Sequence, residues 1–347
     1  MVNKASDKLN MRITLQDVAD DAGVSRSTAS LVLNNNSRIS DPTRERVLNS
    51  VKRLGYIYNQ KAASLRTQRS NTIGLIITDI TNPFYAELIH GIEVELKRNG
   101  YIALLGSTAD LIENQNDLLR IMQERSVDGI ILVPAENTTI DAIEHLKSDV
   151  STVLVSRYLQ GVQVDYVGID NELGARRAME ALIDKGHERI AFIGGAHNSS
   201  ARQDRLMGYT SILEKYTLPQ SEQLIMSTPV TRSGGFKAVQ SLLRMENPPT
   251  AALCYNDVVA FGVMLGLRQA GLEPGHDFSV VGFDDVEEAA LWSPSLTTIA
   301  AEPSKMGEEA ARLLLHRIQN PDETERQIIM PSTLVLRSSV NIRRTYI

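Results

Sequence analysis

Six places in the sequence put polar or charged side chains where chemistry is done. Asp79-Ile80-Thr81-Asn82-Pro83 runs into Phe84-Tyr85. Ser156-Arg157, Asn256-Asp257 and Asp284-Asp285 each follow a short apolar run, and Arg205 follows a polar loop. Carboxylates, an amide and a guanidinium beside an aromatic ring suit a polyhydroxyl ligand, which needs bidentate hydrogen bonds and an apolar surface to stack on. The sixth place is Ser25-Arg26-Ser27-Thr28 with Ser30 and Asn34, short hydrogen-bonding and basic groups of the kind that meet base edges and phosphates. None of these is a reaction centre. The chain has no GxSxG elbow, P-loop or nucleotide-type GxGxxG, and its six histidines show no paired metal spacing. Neither an enzyme nor a metal or cofactor is expected.

Each position also has a plainer use. Asn256 can cap the helix it precedes, and Asp284 or Asp285 can cap the next one. Arg205 can pair with a surface carboxylate, and Phe84 or Tyr85 can be core. The convergence of four strand ends favours a cleft.

The elements that position these residues are legible from Thr72 onward. Apolar runs at 73–77, 101–106, 129–133, 152–155 and 166–169 read as buried parallel strands, with helices such as 84–99 and 114–124 between them. A second series at 189–195, 251–255, 278–285 and 297–300 alternates with helices near 202–216, 233–243, 257–270 and 304–318. About nine strands in two series imply a doubly wound α/β body of two similar lobes. Ligands in such folds bind beyond the carboxyl ends of the strands, where the polar residues above fall.

The first seventy residues read differently. Thr14 with Asp17 resembles a capping box, Leu15, Val18, Ala19 and Ala22 form an apolar stripe, and Gly23 stops the helix. Ser25 caps a second helix carrying Ala29, Val32 and Leu33. Asp41-Pro42 starts a third, with Val47, Leu48, Val51 and Leu54 directed inward and Gly55 at its end. Three short helices with a tight turn at 22–24 make a helix-turn-helix. Charge divides in the same way. Up to Asn71 there are twelve Lys or Arg against six Asp or Glu, +6; the rest holds twenty-four against thirty-six, −12. The net −6 therefore hides a basic head that suits a polyanion.

The segments LQDVADDAGVSRSTASLVLN and ISDPTRERVLNSVKRLGYIYNQKAASLR resemble the DNA-binding head of the lactose/galactose repressor family (LacI/GalR), almost continuously over 12–67. DITNPFYAELIHGIE, VGIDNELGARRA, GHERIAFIGG, NDVVAFGVMLGLRQAGLEPGHDFSVVGFDD and SPSLTTI resemble the ligand-binding body of the same family. The resemblance implies a helix-turn-helix domain at 12–57, a hinge helix and linker at 58–70, and an effector-binding and dimerisation body at 71–347. That body is shaped like a periplasmic binding protein, with one lobe at about 71–168 and 301–332 and the other at about 169–300 and 333–347. It implies DNA contacts through Thr14, Leu15, Ser25, Arg26, Ser27, Thr28, Ser30, Asn34 and Tyr56, and through the hinge residues Asn59, Ala62 and Leu65. The leucine is expected to wedge into a minor-groove step. It implies effector contacts through Phe84, Tyr85, Ser156, Arg205, Asn256 and Asp284.

Two departures in the head stand out: Leu31 where many relatives have a basic residue, and Tyr58 in place of the usual proline. In the body, Ser156 replaces an aspartate common in sugar-binding relatives. The function implied is a repressor whose affinity for a pseudo-palindromic double-stranded operator is switched by a small, sugar-like molecule. Alternatives are an activator or a transporter's solute-binding protein, the latter disfavoured by the basic head and an N-terminus without a signal-peptide pattern. A symmetric homodimer is expected, since two half-sites need two heads. Tetramers are not, because no heptad follows residue 347. Trp292 is either at a dimer face or in the core. At 42% hydrophobic and 22% charged, with one cysteine and no membrane-length apolar run, the composition suggests a soluble cytoplasmic protein.

Overall fold

The computed structural model describes residues 13–33, 38–56, 69–195 and 197–343. The chain divides into two compact units, Met1–Ser70 and Asn71–Ile347. The expected hinge residues Asn59, Ala62 and Leu65, with Tyr58 and Asn34, lie outside the described residues.

The head consists of α1 (Leu15–Ala22), α2 (Arg26–Leu33) and α3 (Asp41–Leu54). The capping box is formed: Asp17 N–H donates to Thr14 Oγ1 at 3.3 Å, and Thr14 N–H donates to Asp17 Oδ2 at 2.8 Å. That backbone bond holds the Asp17 carboxyl below its usual range. Gly23 takes φ 63°, which costs a glycine nothing, and its N–H closes the end of α1 on Ala19 and Asp20. Val18, Ala19, Ala22, Ala29, Val32 and Val47 form the core.

One inward assignment is corrected. Leu48 is 42% exposed, whereas Ser50 is buried. The inner stripe of α3 runs 47, 50, 51, 54, at i, i+3, i+4 and i+7, and Leu48 falls beside it. Ser50 Oγ donates to Val18 O at 3.2 Å and to the Asp21 carboxylate, which also pairs with Arg53 at 2.5 Å. A polar strut thus joins α3 to α1 where a leucine was expected.

The body contains a six-stranded, all-parallel sheet built from β1 (Thr72–Ile77), β2 (Ile102–Ser107), β3 (Gly129–Leu132), β4 (Ser151–Val155), β5 (Asp165–Ile169) and β11 (Gln327–Met330). Their order is β11-β5-β4-β3-β1-β2. A four-stranded parallel sheet, β7-β6-β8-β9, comes from β6 (Ile190–Ile193), β7 (Ile225–Met226), β8 (Ala251–Cys254) and β9 (Ser279–Val281). β10 (Thr298–Ala300) and β12 (Thr333–Val335) pair antiparallel. Twelve strands are present among the described residues, against about nine expected. β7, β11 and β12 escape a reading by apolar runs because they have two to four residues and are only partly buried.

The helices that matter for the site are α4 (Pro83–Arg98), α7 (Asn171–Ile183), α8 (Ser200–Lys215), α9 (Arg232–Leu242), α10 (Asp257–Gln269), α11 (Glu287–Leu291) and α12 (Pro303–Gln319). α5 (Ile112–Glu124) and α6 (Ile140–Asp149) complete the set. α12 packs along α4 and over β3–β5, so a late segment completes the first sheet's layer. The crossing is close enough to require glycine: a Cβ on Gly91 would stand 1.9 Å from Ser304 O, and one on Gly307 would stand 2.2 Å from Leu88 O. The chain passes between the two halves three times, after β5, before α12 and after β11.

His187, read as a turn residue, is in a loop but buried at 3% exposure. Its Nδ1 meets Thr250 Oγ1 at 2.9 Å, and its Nε2 meets Ser279 Oγ at 2.9 Å and Asn341 O at 3.2 Å. Burial lowers its pKa, so the ring stays neutral and ties the C-terminal segment to the sheet. Trp292 is half-buried and stacks on Phe261, with ring centroids 4.5 Å apart.

Candidate functional site

Strand ends deliver the polar residues of the body to one place. Beyond β1, Asn82 caps α4 by accepting from Phe84 N–H at 3.1 Å, and Pro83 fills the first turn. This sets Phe84 edge-on to Tyr85, centroids 5.2 Å apart. Tyr85 Oη accepts from Thr78 Oγ1 at 2.8 Å, and burial pushes its phenol up to about 12, so it keeps its proton. Beyond β4, Ser156 sits at φ 66°, and Arg157 turns back to make a bidentate pair with Asp110 at 2.7 and 3.0 Å. Asp110 itself hangs from the loop after β2 at φ 60°.

From the other sheet, Arg205 on α8 is 5% exposed. Its Nε donates to Asn171 Oδ1 at 2.8 Å, one Nη donates to Tyr255 O, and the other lies 3.8 Å from Asp284 Oδ1. The guanidinium stands 3.7 Å from the Phe283 ring centroid and 4.7 Å from that of Tyr255. A residue held by this many partners is a fixed donor, and a surface pairing for it does not apply. Asn256 realises the capping role. Its Oδ1 accepts from Val259 N–H at 3.0 Å, capping α10. Burial pushes the Asp284 carboxyl up to about 7, with Arg205 pulling it down and Glu87 pushing it further up.

The capping alternative for Asp284 and Asp285 is not realised. Val286 occupies the N-cap position of α11 without any side-chain cap bond. Asp285 instead pairs with Arg337 at 2.7 Å, and Asp284 is buried. Asp257, next to Asn256, is wholly buried and structural: it accepts from Thr298 Oγ1 at 2.5 Å and Val286 N–H at 3.0 Å.

Phe84, Tyr85, Ser156, Arg205, Asn256 and Asp284 all line one cavity of about 670 Å³, within the range of small-molecule sites. Asp79 and Arg157, from the segments named above, also line it, as do Asp110, Glu136, Thr231 and Tyr255, which the sequence does not single out. Asp110 and Glu136 follow β2 and β3, so the strand-end rule alone points to them. The Arg157–Asp110 pair needs the sheet order, because it joins two loops 47 positions apart. Among the described residues no cluster of His, Cys, Asp or Glu is placed to share a metal ion, and no helix is long and apolar enough to cross a membrane.

In the head, Ser25, Arg26 and Ser27 are exposed along the start of α2, and Thr28 and Ser30 are half-buried beside them. Ser25 Oγ accepts from Thr28 N–H at 3.1 Å, so it caps α2 as well as facing outward. Thr14 is exposed, while Leu15 and Tyr56 pack partly on the head's core. Leu31 is 37% exposed on α2.

Comparison with known proteins places both units. Residues 14–59 match the model of bacterial regulatory proteins of the lacI family, and 179–340 match a periplasmic binding protein-like domain. The ribose operon repressor of Haemophilus influenzae is 34% identical over 327 residues, covering 94% of this chain and 98% of that protein. The transcriptional repressor PurR of Vibrio campbellii is 35% identical with the same coverage. Among solved structures, a Lac repressor dimer bound to operator and an anti-inducer superposes with a TM-score of 0.85 at 26% identity, over 95% of this chain and all of that one. A complex of the transcriptional regulator CelR with cellobiose gives 0.72 at 31% identity, over 94% of this chain and all of that one.

Proposed function

The chain belongs to the lacI family of bacterial regulatory proteins, as a DNA-binding transcriptional repressor and not an enzyme, and from that premise we propose how its parts divide the work. α2 enters the major groove, where Arg26, Ser27 and Ser30 meet base edges and Ser25 and Thr28 brace the helix start. Thr14, Leu15 and Tyr56 lie against phosphates, the first two through the N-terminus of α1. Asn34 extends the α2 contact. Asn59, Ala62 and Leu65 form a hinge helix that orders on DNA, with Leu65 prying open a minor-groove step.

The active species is a homodimer on a pseudo-palindromic operator, as two-fold related half-sites demand. Exposed apolar side chains on the edge strand β2 support this: Ile102 is 63% and Leu105 39% exposed, with Ile80 and Leu111 exposed in the segments after β1 and β2.

The body takes an uncharged sugar. Asn256 and Asp284 bind hydroxyl pairs, Arg205 fixes orientation, Phe84 and Tyr85 face the apolar side of the ring, and Ser156 contributes a neutral hydroxyl. Charge supports a neutral ligand. Asp110 cancels Arg157 and Asp284 faces Arg205, which leaves the carboxylates of Asp79 and Glu136 on the wall. A phosphate or carboxylate there would meet net negative charge. Cellobiose in the CelR complex and ribose bound to a lacI-family regulator of Enterococcus faecium are both uncharged.

The observation that carries this reading is the gathering of six strand-end and helix residues around one cavity in a chain that also bears a basic helix-turn-helix. The test is a thermal-shift screen against neutral sugars, polyols, nucleobases and sugar phosphates, followed by operator-binding assays with each stabilising compound. A neutral sugar that raises the melting temperature and changes operator affinity is the expected result. Stabilisation by sugar phosphates alone refutes the neutral-sugar assignment.

A further inference from the structure

Contacts between the two halves of the body gather at the rim of the cleft. Tyr158, three residues past β4, donates from Oη to Asp204 Oδ1 on α8 at 2.8 Å, and its N–H donates to Ser200 Oγ at 2.9 Å. On the loop after β3, Glu136 Oε1 accepts from Asn198 N–H at 3.3 Å, and Asn137 Oδ1 accepts from Asn198 Nδ2 at 2.8 Å. Four bonds from the six-stranded half therefore converge on the start of α8 and the loop before it. Of these residues only Glu136 lines the main cavity, so the others have no part in holding a ligand directly.

The Tyr158–Asp204 bond is built to persist. Tyr166 packs edge-on to Tyr158 with centroids 5.6 Å apart, which restrains the ring. Burial raises the Tyr158 phenol to about 12, so its hydroxyl remains a donor at neutral pH. Burial also raises the Asp204 carboxyl, and the Tyr158 hydroxyl draws it back down.

We propose that Tyr158 and Asp204 are a rim latch that holds the cleft closed in the ligand-free protein. They are positioning residues: they set how often the two halves part, and through that how fast a bound effector escapes. The escape clause rests on the cleft being the effector site, whereas the latch itself does not, and its test needs no ligand. A two-state opening equilibrium shifts by the net worth of whatever contact one state alone possesses. One hydrogen bond of this kind corresponds to roughly a two- to tenfold change in the open population.

The test is amide hydrogen exchange on the full-length, ligand-free protein, comparing wild type with Tyr158→Phe, Asp204→Ala and the double variant. Expected is two- to tenfold faster exchange in the cleft segments 78–85 and 227–231, with strands 72–77 and 190–193 unchanged. The double variant should exceed neither single variant by more than experimental error, because both remove the same bond. Unchanged cleft exchange in Tyr158→Phe overturns the latch. Equal acceleration in the core strands also overturns it, since the residues would then be supporting the fold and not the closure.

Discussion

Asp284 provides the most quantitative prediction. Its carboxyl is held at about 7 in the folded protein against an ordinary value of 3.8, chiefly by burial. Between those values the folded state keeps a proton that the unfolded state has lost. Stability from this group is therefore full at low pH and declines as pH rises from about 4 through 7. One proton of difference is worth about 1.4 kcal/mol per pH unit, so the wild type forfeits roughly 4 kcal/mol across the window. Asp284→Asn keeps the shape and the hydrogen bonds but has no proton to lose. Its stability relative to wild type should rise by about 2 to 3 kcal/mol between pH 5 and pH 7. Urea unfolding of the two proteins at pH 5, 6, 7 and 8 measures this, followed by the fluorescence of Trp292, the sole tryptophan, in the same unit. His187, whose depressed pKa gives the opposite slope below about 6.5, is common to both proteins and drops out of the difference. Parallel stability curves would refute the reasoning, for they would mean that Asp284 is ionised and solvated in the folded state.

Arg205→Ala should abolish the response to effector while operator binding persists. It should also cost the body about 3 kcal/mol, since Asn171, Tyr255 O and Asp284 lose a shared buried partner; a normal response measured by operator titration would mean the cleft is misplaced. Operator affinity should fall steeply with salt, by about a thousandfold between 50 and 200 mM if some six phosphates are contacted, and a flat response in fluorescence anisotropy would contradict a role for the basic head. Leu65→Ser should weaken operator binding by roughly tenfold or more and leave effector affinity unchanged, and equal operator affinity would remove the minor-groove wedge.

Much of the site is open to reading because parallel α/β sheets export function to strand ends. Ser156, Asn256 and Asp284 each follow an apolar run directly, and Phe84 follows one after an Asn-Pro turn, so local pattern is enough to nominate them. The strand-end rule reaches Asp110 too, but not its pairing with Arg157, since the two meet only through a sheet order in which β2 and β4 are not neighbours. The reading of Leu48 as core fails for a related reason. A helical stripe can be placed one residue off when a serine occupies the inner position, and only the partner groups Val18 O and Asp21 reveal why serine belongs there.

The sequence by itself determined the three-helix head, the alternation of strands and helices and the separation of basic from acidic regions, because these live in local periodicity, capping and composition; the family showed through the resemblance of whole segments such as LQDVADDAGVSRSTASLVLN. Tertiary structure decided what no local pattern contains. It set how α12 and β11, from the far end of the chain, pack on and pair with the first sheet, and it paired Arg157 with Asp110 and Tyr158 with Asp204. It buried Asp284 beside Arg205 deeply enough to change its chemistry. The physical reason is the same in each case: distance through space and exclusion of water set these energies, and residues tens to hundreds of positions apart share both only after the chain has folded.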